Sequence, residues 1–338
     1  MNECLQSIPP QLLRHWMTPK AWEAVQALAV DLPDVTTAGF ECRLNDDPQV
    51  DVAIRLDKTG FEFAERLGEN PIWRSVARVG AAWRDPGSCL DEGVRDMWLE
   101  FDLDRPGCPV PGVFLTLIQH QPANIGALVE AAAQAFGGSL PPGVHDKLPA
   151  TIAALPAVGR IMRLGVMFGR GGGATRVEMK MPGYLAPAFL ERVGWRDPSG
   201  QLPGLLERLW SMLDNVTLDL DVSETVHPRL GIECMVHTSP QQKARWRTFL
   251  DYVVQEGLCR PEKAEALLAW PGGARLPREP EPESFWPVGS TAGEFEELCL
   301  RRISHVKFAY EGRLAGAKAY FGFLRTRRNT SVADPRGE

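Results

Sequence analysis

The 338-residue sequence contains no run of about 18 apolar residues, which argues against a membrane-spanning helix. It also lacks an excess of basic residues, and a formal net charge of −6 is not typical of a general nucleic-acid binder. Its first residues have no basic flank followed by an apolar stretch, so no secretory signal is predicted. Together these absences predict a cytoplasmic protein whose partners include neither a membrane nor a nucleic acid.

The seven cysteines are odd in number, widely spaced and never arranged as Cys-x-x-Cys. This pattern is typical of reduced thiols and argues against a disulfide framework or a zinc site. The chain also lacks a nucleophile elbow and a dinucleotide fingerprint. An aspartate pair, Asp46-Asp47, is followed at once by a proline in a predicted turn, so no metal site is predicted there. Function therefore has to be inferred from longer-range patterns.

The dominant pattern is a β-hairpin that occurs five times. Nearly every strand alternates apolar and polar residues, the period-two mark of a sheet covered on one face. The predicted strand pairs are 39–44 with 50–56, 97–103 with 113–118, 161–168 with 175–181, 216–222 with 230–236, and 304–310 with 315–323. The first four pairs are followed by sequence with helical spacing. The chain thus reads as repeated strand–strand–helix–helix units.

Two arrangements satisfy this alternation. In the strand after residue 175, Val177 and Met179 share one face, whereas Arg176, Glu178 and Lys180 share the other. In an open sheet the charged face would be solvated, and in a closed barrel it would line a lumen. Ten antiparallel strands rarely remain one open sheet, so we favour an α+β fold with a ten-stranded antiparallel β-barrel inside a ring of helices.

We expect a single domain over residues 1–325. Residues 271–290 are rich in proline and charge and are predicted to form a flexible loop. The polar residues 326–338 are predicted to form a disordered tail.

Five such units resemble the ABBA, or PT-barrel, prenyltransferases, and among them the soluble bacterial enzymes that prenylate cyanobactin-type ribosomal peptides. At residue level the resemblance rests on Glu41 in the first strand, Ser304-His305-Val306-Lys307, and Ala317-Lys318-Ala319-Tyr320-Phe321 in the last hairpin. The resemblance implies an enzyme that transfers an allylic group from dimethylallyl or a longer prenyl pyrophosphate. The implied acceptor is a side chain of a ribosomal peptide or a small aromatic molecule.

The resemblance also implies roles for individual residues. Glu41 would be the catalytic base, and Trp98 and His305 would shield the allyl cation and the acceptor. The pyrophosphate would be bound by Arg55, Arg176, Lys180, Lys307, Lys318 and Tyr320. Each residue also has a simpler interpretation, because a cross-strand ion pair, a solvated strand face or plain packing would use the same residue types.

Acidic residues complicate this picture. Many of them share the predicted lumen face: Asp51, Glu100, Asp102, Glu178, Asp219, Asp221 and Glu233. Such a lumen would repel pyrophosphate unless a cation intervenes, which makes Mg²⁺ a candidate cofactor although no metal ligands are predicted. A cationic acceptor, such as an arginine or histidine side chain of a peptide, is a second explanation. The alternative function is a non-catalytic peptide-binding barrel of a natural-product pathway.

Overall fold

The computed structural model describes residues 1–45, 47, 49–61, 64, 70–103, 110–118, 122–136, 142–168, 173–237, 239–277 and 295–329. Within these residues the helices are α1 (Asn2–Gln6), α2 (Pro10–Leu13), α3 (Pro19–Asp31), α4 (Pro71–Arg84), α5 (Cys89–Gly93), α6 (Pro122–Ala135), α7 (Pro142–Ala153), α8 (Ala186–Arg192), α9 (Leu202–Met212), α10 (Gln242–Gln255) and α11 (Pro261–Ala269). The strands are β1 (Thr37–Arg43), β2 (Val50–Leu56), β3 (Val94–Asp102), β4 (Gly112–Leu117), β5 (Arg160–Met167), β6 (Thr175–Lys180), β7 (Asn215–Val222), β8 (Val226–Met235), β9 (Gly272–Arg275), β10 (Phe295–Tyr310) and β11 (Leu314–Asn329).

The sheet closes on itself. Strands β1 to β8 pair in chain order, β8 pairs with β10, β10 with β11, and β11 returns to β1, all antiparallel. The barrel is closed by the pairing of β1 with β11, which places Thr37 opposite Leu324 and Glu41 opposite Tyr320. The predicted ten-stranded barrel within a ring of helices is therefore confirmed, and the open sheet is excluded.

Strands β10 and β11 are each 16 residues long and continue beyond the barrel. Residues 306–310 of β10 pair with β8, and residues 298–301 pair with the short strand β9. Residues 272–275, within the predicted flexible loop at 271–290, form β9, and residues 326–329, within the predicted disordered tail, belong to β11, so both predictions are wrong for these residues. Residues 278–290 and 330–338 lie outside the described residues.

The main core lies between the barrel and the helices. The apolar strand positions point outward and are almost fully buried, as Phe40, Ile54 and Phe101 show with 2%, 0% and 0% exposure. Phe321 of β11 packs between Trp16 and Trp270, with ring centroids 4.6 Å from each. Burial of several large aromatic rings in this layer is a major part of the stabilisation of the barrel.

Local sequence signals set the helix ends. The Thr18 hydroxyl accepts a hydrogen bond from the Ala21 amide at the start of α3, and the Asn70 side chain accepts from the Ile72 amide at the start of α4. Both helices have proline as their first residue, where the missing N–H costs no hydrogen bond. None of the described helices is long and apolar enough to cross a bilayer.

Candidate active site

The charged faces of the strands converge on the lumen, where they line two cavities. The larger has a volume of about 350 Å³ and includes Trp98, Phe114 and His305 in its wall. The smaller, of about 240 Å³, includes Glu41, Arg43 and Lys318. Four residues line both cavities and mark their junction: Arg176, Asp219, Lys307 and Tyr320.

Glu41 is bound from two sides. Its Oε1 accepts a hydrogen bond from the Lys318 ammonium and its Oε2 accepts one from the Tyr320 hydroxyl, both across the β1–β11 pairing that closes the barrel. The side chain is only 2% exposed. Burial alone would raise the pKa of Glu41, but the charge and hydrogen bond of Lys318 and the hydrogen bond of Tyr320 outweigh it and hold that pKa well below its usual range. Glu41 is therefore an ionised, fixed carboxylate at neutral pH.

His305 stacks on Tyr320, with ring centroids 4.1 Å apart and planes within 17° of parallel. Its Nδ1 lies 3.0 Å from the Ser304 hydroxyl, and its Nε2 lies 3.5 Å from Oε1 of Glu233. Burial, then the nearby cations Arg163 and Lys307, lower the pKa of His305 well below its ordinary value. The imidazole is therefore neutral and presents a flat aromatic surface to the larger cavity.

A second group of charges lies beside the first, on strands β5 to β8 and on β10, which pairs Lys307 with Lys318 of β11. Lys307 donates a hydrogen bond to Oδ2 of Asp219 and lies 3.4 Å from Oε1 of Glu233. Arg163 pairs with Oε2 of Glu178 at 2.9 Å. Burial and the neighbouring carboxylates raise the pKa of Glu178 to about 8, even though Arg163 acts in the other direction. Three carboxyl groups therefore share two cationic side chains here.

The remaining predicted pyrophosphate residues are dispersed. Arg176 makes a bidentate pair with Asp221, with N–O distances of 2.7 and 2.8 Å. Arg55 lines the larger cavity, and its Nη2 lies 3.5 Å from the Thr36 hydroxyl. Lys180 is exposed at the end of β6 and lines neither cavity, so the structure does not bring it to the other predicted residues.

The other predicted residues, Trp98, Lys318 and Tyr320, line the lumen cavities. Trp98 lies in the wall of the larger cavity, with its indole N–H donating to Asp96 at 3.0 Å. Lys318 and Tyr320 share one face of β11, as the alternation predicted, and both contact Glu41. Arg163 was not predicted, although it alternates with Leu164 and Val166 in the predicted strand 161–168, and both of these residues are buried in the core. A β-bulge between Ile161 and Arg163 interrupts the alternation only before this position.

No protein-family model matches this chain, and no curated protein matches it in sequence. Solved structures match it in fold along nearly its whole length. The apo form of the prenyltransferase PriB has a TM-score of 0.56 at 15% identity and covers 96% of both chains. The 6-dimethylallyltryptophan synthase from Micromonospora olivasterospora, in complex with DMASPP and Trp, has a TM-score of 0.56 at 11% identity, covering 96% of this chain and 95% of that one.

The 5-dimethylallyl tryptophan synthase from Streptomyces coelicolor, also in complex with DMASPP and Trp, has a TM-score of 0.50 at 15% identity. It covers 100% of this chain and 96% of its own. At such low identities the likeness concerns the backbone and not the side chains of the lumen. The resemblance predicted from the strand pattern is confirmed at this level: the chain has the fold of the ABBA prenyltransferases.

Proposed function

We propose that this protein transfers an allylic prenyl group from a prenyl pyrophosphate to an acceptor bound in the barrel lumen. The observation that carries the proposal is the position of Glu41, held by Lys318 and Tyr320 beside the junction of the two cavities. Tyr320 lines both cavities, so one face of this cluster is open to each. An ionised carboxylate next to cations and aromatic rings is the set of groups that allylic transfer requires.

The smaller cavity is suited to the pyrophosphate. Its wall contains five cationic side chains, Arg43, Arg176, Arg229, Lys307 and Lys318, together with the Tyr320 hydroxyl. Cleavage of the allylic C–O bond develops negative charge on the leaving group, and cations fixed in advance stabilise that charge at no cost of reorganisation. Four carboxylates line the same cavity, so the pyrophosphate would compete with them for these cations.

The larger cavity is suited to the prenyl chain and the acceptor. Its volume of about 350 Å³ lies within the range of small-molecule sites. Trp98, Phe114 and Tyr320 supply aromatic surfaces, which stabilise an adjacent carbocation through their π faces. A lumen closed by ten strands also limits the access of water, which would otherwise capture the cation.

Glu41 would accept the proton that the acceptor loses. A carboxylate has about four acceptor positions, so the two hydrogen bonds from Lys318 and Tyr320 leave further capacity. Its low pKa makes it a weak base, but an acceptor that has just been alkylated is a strong acid and transfers its proton readily. Two of the matched structures hold DMASPP and Trp, so an aromatic acceptor is the first choice and a peptide side chain the second.

The test is direct. Purified protein is incubated with dimethylallyl, geranyl or farnesyl pyrophosphate and either tryptophan or tryptophan- and arginine-containing peptides, and products are detected by mass spectrometry. Lys318→Ala should lower turnover by about 100-fold or more, the effect of removing one group that stabilises developing negative charge. Lys180→Ala is the matched control, because Lys180 is exposed outside both cavities, and it should match the wild type.

Equal turnover in the wild type and Lys318→Ala would contradict the assigned site. Absence of product with every donor would contradict the proposed activity itself.

A second candidate is a binding barrel for a cationic peptide. It is favoured by the fact that Lys318, Lys307 and Arg176 are each already bound to a carboxylate. Calorimetry with the same arginine-containing peptide separates the two. Tight peptide binding without affinity for any prenyl pyrophosphate would favour the binding function.

A further inference from the structure

We propose that Glu178, Asp219 and Glu233 form a binding site for a divalent cation of the Mg²⁺ or Mn²⁺ type, at the junction of the two lumen cavities. The site itself follows from the arrangement of these side chains. Its role in holding pyrophosphate rests on the function proposed above.

The three carboxylates lie on adjacent strands of the barrel. Glu178 of β6 is opposite Asp219 of β7, and Glu233 of β8 is opposite Thr217, two residues before Asp219. One oxygen from each carboxylate lies within 4.8 Å of the others, and the residues are 5%, 3% and 4% exposed. Octahedral Mg²⁺ with ligands at about 2.1 Å needs oxygens about 3–4 Å apart, so a small contraction would complete the geometry.

Each carboxylate is oriented through one oxygen and keeps its other oxygen for a ligand. Lys307 holds Oδ2 of Asp219 and approaches Oε1 of Glu233, whereas Asp219 Oδ1 and Glu233 Oε2 have no hydrogen-bond partner. Arg163 holds Oε2 of Glu178, whose Oε1 has only a long contact of 3.4 Å with the Thr217 hydroxyl. Outer groups that fix ligating carboxylates in this way are a general feature of metal sites.

His305 provides an independent indication of a ligand. It is 5% exposed and directs Nε2 toward the same group, 3.5 Å from Glu233 Oε1, yet this nitrogen has no hydrogen-bond partner. An orphaned polar atom is rare at such burial and calls for an explanation. Mg²⁺ usually retains several bound waters, and one of them is a group that Nε2 could pair with.

The cation would change what the lumen attracts. Glu178, Asp219 and Glu233 share the two cations Lys307 and Arg163, so a doubly charged ion bound to all three carboxylates would leave this group with a net positive charge. Asp219 lines both cavities, so an ion bound to it would face the smaller cavity where the cationic side chains are grouped. Mg²⁺ commonly binds substrate phosphates through one or two carboxylates, so this placement would recruit pyrophosphate to an otherwise acidic lumen.

Mn²⁺ binding to chelator-treated protein, measured by electron paramagnetic resonance without any prenyl donor, tests the site. We expect one tightly bound Mn²⁺ per chain. Glu233→Gln and the double variant Asp219→Asn/Glu233→Gln should weaken it by more than about tenfold, because even outer groups of metal sites have effects of that size. Asp221→Asn is the matched control: Asp221 shares the strand and cavity side of Asp219 but is bound by Arg176 and belongs to no trio.

Thermal unfolding with and without Mn²⁺ guards against misfolded variants. The ion should raise the Tm of the wild type and of Asp221→Asn more than that of Glu233→Gln, since the stabilisation by a ligand increases with its affinity for the folded protein. No Mn²⁺ binding by the wild type, or equal binding by all four proteins, would overturn the proposal. The proposal would also be overturned if the wild type bound guanidinium saturably, lost that binding in Glu233→Gln, and did not bind Mn²⁺.

Inorganic pyrophosphate separates this inference from the proposed function. If Mn²⁺ binds and increases the affinity for pyrophosphate, both are supported. If Mn²⁺ binds but pyrophosphate does not, the metal site stands and the proposed transfer reaction fails. If pyrophosphate binds equally well with and without Mn²⁺, and the electron paramagnetic resonance of Mn²⁺ does not change when the protein is added, the metal site is refuted and the transfer reaction stands.

Discussion

Replacing Lys318 by methionine should destabilise the folded protein, because Glu41 would then be buried without its cationic partner. The substitution keeps the length of the side chain but removes the charge that neutralises a carboxylate with 2% exposure. Breaking a buried ion pair in this way costs about 3–5 kcal/mol, and we expect about 3 kcal/mol because Tyr320 still donates to Glu41. With an unfolding entropy of about 2.1 cal/mol/K per residue over 338 residues, this loss corresponds to a decrease in Tm of about 4 °C.

The pH dependence is the sharper part of this prediction. In the wild type the pKa of Glu41 is lowered, so its stabilising contribution is present above the unfolded-state pKa and is lost as the pH falls. Without Lys318, burial dominates and raises the pKa of Glu41. The folded variant is therefore most stable at low pH, where Glu41 is protonated, and loses stability as the pH rises. The deficit relative to the wild type should therefore grow between about pH 4 and pH 8, with a limiting slope of about 1.4 kcal/mol per pH unit.

Urea unfolding followed by tryptophan fluorescence at pH 5 and pH 8 measures both quantities. The double variant Glu41→Gln/Lys318→Met is the control, and its deficit should not change with pH because the titrating group is gone. A Lys318→Met deficit that is the same at both pH values, or smaller at pH 8, would refute the coupling between these two side chains.

Three further predictions concern other parts of the barrel. A β-carbon at Gly165 would lie 2.2 Å from the ring of Phe114, so Gly165→Leu should push that ring into the larger cavity. The ratio of geranyl to dimethylallyl product should then decrease, and an unchanged ratio would show that Phe114 does not form part of the wall of the donor site. Burial raises the pKa of Asp51 to about 7, so the free energy of unfolding should be highest when Asp51 is protonated and should decrease as the pH rises from about 4 through 7. In urea unfolding, Asp51→Asn should make the free energy of unfolding less dependent on pH over this range. A steeper pH dependence in this variant would contradict the raised pKa of Asp51. Phe321→Ala, which removes a ring packed on Trp270, should cost about 3–5 kcal/mol in the same unfolding assay, and a loss below about 1 kcal/mol would show that the layer repacks.

The barrel could be predicted because it depends on alternation that each strand carries in its own sequence. The predicted strand 50–56 coincides with β2, and its polar positions Asp51 and Arg55 face the lumen side as expected. Helix starts were also readable, since Thr18 before Pro19 and Asn70 before Pro71 are local signals. Closure followed from the number of strands, because an open ten-stranded sheet would leave two unpaired edges.

The pairing of charges inside the lumen could not be predicted in the same way. Lys307 reaches Asp219 over Gly231, where a β-carbon would lie 2.9 Å from the lysine side chain. That contact depends on the register of three strands, β7, β8 and β10, and a bulge before His305 shifts one of them. Lys180 shares the alternation of Arg176 but lies at a strand end, and alternation carries no information about depth.

The pairing of β1 with β11 joins residues separated by about 280 positions in the chain. During synthesis β1 emerges from the ribosome long before its partner exists, so its outer hydrogen-bonding groups must wait, unpaired, for nearly the whole protein to be made. Contacts of such long sequence separation form slowly. A nascent chain stopped before residue 295 would keep both sheet edges and a charged interior open, which makes truncated forms of this protein candidates for chaperone binding and aggregation.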